Sequence, residues 1–439
     1  MRAKRAVLLV SALALLSGGC EQLAELFGKE MTPQEKATEA MNQARMLLQQ
    51  GDQAGAEEAY RKAMTHVPDD SAPVLALAAM YEQRGEDTRA VLELRQAADL
   101  LSTDAAPRER IGDILIRQDR FGPAAEAYKR ALDILPMSEP LGRKLALASL
   151  LGGQISDARR EIGRLKGSDP AHPETQALDG LVMAAEGRGH EARSLIESAA
   201  RASSEPAPSR LLGLYYLQMG EASAAVQALK GAQERGGSDP WTLRLLAQAL
   251  IASGAGAEAV ELLDPAVRAR PRDPIVLAAY ARALVARGQY EEALQAAGRA
   301  VRQNSGLGAA HLAQGDALEA MERYDQAARA YRSAVKASPQ LGEAYRRLAS
   351  LESRQGRMVE AAAALERLVA LSPGDRRAQV ELLEAYAAAP SEARKGLDLV
   401  DRLLAEEPQN TRFLQLRAQM QAEVKRRPSG GRAGPVIMR

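Results

Sequence analysis

Aromatic residues are scarce in this chain of 439 residues: Phe, Trp and Tyr together make up 3%, with Trp241 the only tryptophan. Barrels and sandwiches draw on aromatic and β-branched side chains, so the scarcity argues against an all-β fold. There is one cysteine, Cys20, which excludes an intrachain disulfide and a multi-cysteine metal site. The four histidines, His66, His172, His190 and His311, stand apart, and none has a second His or Cys at ligand spacing. An excess of one charge is missing too. Lys and Arg number 58 against 57 Asp and Glu, so the whole chain offers no field for nucleic acid. Neither a phosphate-binding GxxxxGK[ST] loop nor an HExxH or GxSxG sequence occurs. The acidic residues fall mostly on predicted helix surfaces with basic neighbours. The expectation is a protein that is not an enzyme and uses no metal or cofactor.

The start of the chain carries its own pattern. Arg2, Lys4 and Arg5 precede an apolar run from Ala6 to Leu16, broken only by Ser11. The run is shorter than the about 20 residues of a membrane-crossing helix and fits the apolar part of a secretory signal. Ser17, Gly18 and Gly19 then lead to Cys20. Small residues before a Cys at this place resemble a bacterial lipobox, with Ser17 where that family usually has Leu. The resemblance implies cleavage after residue 19 and lipidation of Cys20, with firm membrane attachment through several acyl chains. The competing reading is a plain cleaved signal with an incidental Cys. Loss of residues 1–19 takes three basic residues and leaves a formal charge of −2. Glu21 follows the cysteine where inner-membrane retention commonly uses Asp, so the resemblance implies the periplasmic face of a bacterial outer membrane.

Most of the remaining sequence is one repeated unit. Gly51, Gly85, Gly153, Gly187, Gly220, Gly254, Gly288 and Gly356 each follow an amphipathic stretch, in steps of 34 residues or a multiple, with one step of 33. An Ala stands five residues after each. Asp119 and Glu322 replace the Gly in two repeats, yet Ala124 and Ala327 keep the phase. Seven residues before the Gly place only Ala or Gly occurs, as at Ala78, Gly112, Gly213 and Ala281. Large residues such as Tyr128, Ile196, Leu229 and Tyr331 fill the gap, and Pro68, Pro136, Pro170, Pro271, Pro339 and Pro373 close six of the repeats. Two antiparallel helices must approach closely at the small columns, where a Leu would push them apart. The Gly takes positive φ and ends the first helix, and the Pro cannot continue the second.

This spacing resembles the tetratricopeptide repeat. The resemblance implies an all-α, right-handed superhelical solenoid of about ten to eleven helical hairpins with a C-terminal capping helix. The expected divisions are a signal peptide over 1–19, a lipidated Cys20 and tether over 20–36, and ten repeats over 37–375. A degenerate eleventh repeat follows over 376–408, then a capping helix over 409–427 with Phe413, Leu416, Met420 and Val424 on one side. The tail, 428–439, is rich in Gly and Arg and is expected to be disordered. Thr32, Pro33 and Glu35 form a capping-box pattern at the first helix.

Tetratricopeptide arrays usually bind ligands on a concave face lined by the first helix of each repeat. In repeats six to eight the residues expected there are Ala207, Arg210, Leu214, Trp241, Arg244, Gln248, Ile275, Ala278 and Arg282. Three are Arg, none is acidic, and one is the lone Trp. Trp and Arg often dominate interfaces, and Arg grips carboxylate or phosphate with two prongs. The candidate ligand groove is therefore Arg210, Trp241, Arg244 and Arg282, and its expected ligand an acidic peptide or an anionic polymer. In the competing reading Trp241 packs between repeats and the arginines are solvated. In repeats nine and ten the same places hold Asp316 and Glu343 beside Arg346. The family's carboxylate clamp is not recognisable in the first three repeats, where Met41, Arg45, Leu75, Ala79, Glu109 and Asp113 stand. The expected function is a non-enzymatic protein–protein interaction scaffold anchored by lipid to the envelope, assisting assembly of a secretion, pilus or export complex. The alternative is a periplasmic binder of an anionic exopolysaccharide during export.

Overall fold

The computed structural model describes residues 31–237 and 239–426. The predicted signal, Cys20, the tether up to residue 30 and the basic tail lie outside the described residues. Among the described residues there are 23 α-helices, one short 3₁₀ segment at Pro390–Glu392 and no strand. None of these helices is long and apolar enough to cross a membrane.

The helices form eleven successive hairpins and a final helix. The first hairpin, Pro33–Gln49 and Gln53–His66, begins with the capping box: the Thr32 hydroxyl accepts from the Glu35 amide at 3.2 Å, and the Thr32 amide donates to Glu35 at 2.8 Å. Its first helix starts at Pro33, the first helical position of the capping pattern, because the cap and Pro33 fix the helix end locally. The chain divides into two compact units, Met1–Gln83 with Asp87–Ile111, and Arg84–Glu86 with Gly112–Arg439. In the first unit Ala37, Ala40 and Ala63 pack together, and Arg61 donates to the Tyr81 hydroxyl at 3.0 Å.

The second unit holds the third repeat from Gly112 onward, including its second helix Phe121–Ile134, and all later repeats. Within it each hairpin packs on the next, and the first helix of the eighth repeat, Pro274–Arg287, lies on those of the seventh, Pro240–Ala252, and the ninth, Gly308–Ala320. The small columns are buried as their role demands. A side-chain carbon built at Gly112 would collide with the Tyr128 ring, and one at Gly213 with Leu229. The turn column also behaves as expected: all eight of its glycines have φ between +71° and +87°. The last hairpin, Arg376–Ala388 and Ala393–Glu406, is covered by Thr411–Arg426, whose Phe413, Leu416 and Met420 are buried. Met420 lies against Gly396, where any larger side chain would clash.

Candidate functional site

Local chemistry fixes the start of the seventh repeat. Asp239 caps the helix, its Oδ1 accepting from the Trp241 amide at 3.0 Å and the Thr242 amide at 3.1 Å, and Pro240 holds the first helical position. This sets Trp241 at the helix start, and Arg244 and Gln248 follow on the same face. Trp241 is 5% exposed. The Arg210 guanidinium from the sixth repeat, helix Pro206–Gln218, lies 4.8 Å from the centre of the Trp241 ring and donates to Asp239 Oδ2 at 3.2 Å. Burial works against the Asp239 charge, but Arg210, Thr242 and the capped amides outweigh it and hold the carboxyl below its usual range.

Arg244 reaches a residue 125 positions away in the sequence. Its Nη2 donates to Asp119 Oδ1 at 2.8 Å and its Nη1 to Asp119 Oδ2 at 3.2 Å, a two-pronged pair. Asp119 stands in the turn of the third repeat, between helix Ala106–Arg117 and Phe121, at the place where eight other repeats have Gly. Its φ is +58°, and the only other described non-glycine residue with positive φ is Glu322, at the same column of the ninth repeat. A side chain in this backbone region carries strain that glycine avoids. The side chains of Arg244 and Asp119 are 17% and 12% exposed. Burial pushes the Asp119 carboxyl up against the pull of Arg244, and the nearby Glu343 charge pushes the same way.

Arg282, in the eighth repeat, is held by two carboxylates. Its Nε donates to Asp316 Oδ2 at 3.1 Å and its Nη2 to Glu343. Burial opposes the charge on both Arg282 and Glu343. Their mutual attraction outweighs it, holding the guanidinium more firmly protonated and the Glu343 carboxyl below its usual range. The Tyr331 hydroxyl sits 2.9 Å from Asp316 Oδ1, its proton made harder to lose by burial and by that carboxylate. Arg346 turns instead to Asp375 and Glu381.

The structure brings Leu214, Trp241, Arg244, Gln248, Ala278 and Arg282 together around one cavity of about 220 Å³. Arg210 is not in its wall but stacks behind Trp241. Elsewhere in the wall, Asp119, Phe121 and Leu151 from the third and fourth repeats and Gln340 and Leu341 from the start of the tenth were not legible as part of the groove, whereas Glu343 stands at a groove place expected of the tenth repeat. The acid-free groove places of repeats six to eight thus meet acids from the third, seventh, ninth and tenth repeats, and each of the three arginines is paired within the chain. One sequence signal did mark the intruder, the Asp that breaks the glycine column at 119. What the cavity can do chemically is seat an apolar side chain beside an arginine fork. The histidines take no part: His311 Nε2 bonds the Ser305 carbonyl oxygen at 2.9 Å, and among the described residues no cluster of His, Cys, Asp or Glu could hold a metal ion.

Within the second unit these hairpins, joined through small-residue contacts and stacked one on the next, define a helical-repeat interaction protein. Residues 18–150 match a model described as a tetratricopeptide repeat-like domain, and residues 216–283, 250–316 and 312–376 match tetratricopeptide repeat models. Over these residues the chain carries tetratricopeptide repeats. No curated protein matches it. Among solved structures it is similar to the APC/C hetero-tetramer Cut9-Hcn1, at 16% identity and a TM-score of 0.48 over 80% of this chain and 76% of that one. It is also similar to yeast Tom70, at 17% identity and a TM-score of 0.41 over 86% of this chain and 92% of that one. A thermophilic TPR protein of Thermus thermophilus shares 24% identity with a TM-score of 0.36, over 40% of this chain and 96% of that one.

Proposed function

We propose that the chain is a non-enzymatic scaffold for protein partners, held by lipid on Cys20 at the periplasmic face of a bacterial outer membrane, where it assists assembly of a secretion, pilus or export complex. The array supports the interaction role, since stacked helical hairpins present extended surfaces and no reacting constellation is needed for that task. The observation that carries the choice of partner is the cavity beside Arg244. An acidic protein segment with an apolar residue fits an arginine fork next to an apolar recess. An anionic exported polysaccharide would need a run of unpaired cations, whereas Arg210, Arg244 and Arg282 each face a carboxylate.

The location is tested by labelling cells with palmitate. The full chain should give a labelled band that Cys20→Ala abolishes, and equal labelling of the variant removes the lipid anchor from this reading. Affinity capture from detergent-solubilised envelope tests the role. Recovery of envelope assembly proteins supports the scaffold, and recovery of polysaccharide without protein replaces it with the exopolysaccharide reading.

A further inference from the structure

Of the three groove arginines, Arg244 alone has a partner from a distant part of the chain. Arg210 answers to Asp239 and Arg282 to Asp316 and Glu343, all within the next one or two repeats, so those pairs belong to the stacking of neighbours. Asp119 sits instead on a short turn, and its carboxylate bonds Arg244 with both oxygens. Nothing in the repeat requires an acid there. The eight glycines of the column take the same positive φ without the strain that Asp119 bears. Asp tolerates positive φ better than most side chains, so the turn keeps its shape while the carboxylate is free to serve a distant arginine.

We propose that Asp119 is an internal substitute for the partner's carboxylate, filling the two-pronged seat of Arg244 until an acidic side chain of a protein partner displaces it and an adjacent apolar side chain enters the cavity beside Trp241. The inference rests on the reading of this groove as the site for an acidic segment. It adds that the free protein is self-inhibited. An arginine that already holds a carboxylate accepts another of the same geometry by exchange, with no new charge left buried once the turn carries the Asp119 carboxylate out to water. The recess next to the fork, lined by Phe121, Leu245 and Leu341, is apolar where a partner's neighbouring residue would lie. An internal competitor that closes the seat about nine-tenths of the time weakens apparent affinity about tenfold.

The test is binding of a fluorescein-labelled peptide of glutamates around one leucine to the full chain at low salt. Asp119→Gly supplies the residue that the column takes elsewhere, so it frees Arg244 without straining the turn, and it should tighten binding about tenfold. Asp119→Asn, which keeps the side chain's shape, should shift affinity in the same direction. Glu322→Gly relieves the same backbone strain away from Arg244 and should leave affinity unchanged. In the unaltered chain, saturating peptide should speed amide exchange in the 118–120 turn while slowing it in the 240–252 helix. If Arg244→Gln weakens binding but neither Asp119 variant tightens it, self-inhibition is wrong and the acidic-segment site stands. If Arg244→Gln and both Asp119 variants bind the peptide like the unaltered chain, or none binds at all, the acidic-segment reading fails and the inference falls with it.

Discussion

Trp241 shows how one residue's environment changes what an experiment on it would mean. Its place at the head of the seventh repeat's first helix made it a candidate contact residue, and it does border the cavity. Yet the ring is 5% exposed and stacked under Arg210, so it also holds the sixth and seventh repeats together. Trp241→Ala should therefore lower stability by about 3 kcal/mol or more, the usual cost of emptying a large buried site. Urea unfolding checks this, and a loss below about 1 kcal/mol would contradict the burial described here. Polar residues at this scale follow the same logic. Asp239 and Asp273 are helix caps whose side chains accept two amides each, and their identity is dictated by the helix start. Asp119 has no such local task, and its partner lies elsewhere in the fold.

At the scale of the element, the hairpin depends on how closely two helices approach. Gly213 stands opposite Leu229, and an added methyl group at Gly213 would overlap the Leu229 side chain. Ala225, five residues after the turn glycine, is fully buried in the same contact. Gly213→Ala or Ala225→Leu should overpack the sixth repeat and cost about 1–3 kcal/mol. In a stacked array each repeat feels mainly its neighbours, so amide exchange should rise most in repeats five to seven. An even rise along the chain, or none, would contradict this register. The glycine column works by a different physical requirement, positive φ, which Asp119 and Glu322 meet without the glycine's freedom.

At the scale of the molecule, an array needs an end that water can face. Thr411–Arg426 provides it in the second unit by burying Phe413, Leu416 and Met420. Removing residues from 409 onward should lower the melting temperature and speed exchange in Ala393–Glu406, measured by calorimetry and hydrogen exchange. An unchanged melting curve would show that the eleventh hairpin closes the array by itself. The sequence by itself determined the helical hairpins, their columns, their turns and the helices that Trp241, Arg244 and Arg282 share with their neighbours. Those features repeat at short range, where propensity, capping and helix–helix spacing act on residues at most one repeat apart. Only the tertiary structure decided which charges meet across the groove. The partner of Arg244 depends on how small rotations accumulate from the third repeat to the seventh, and no local pattern encodes that sum. Asp119 was visible as a broken column, but its task was set by the curl of the stack that carries its carboxylate to Arg244.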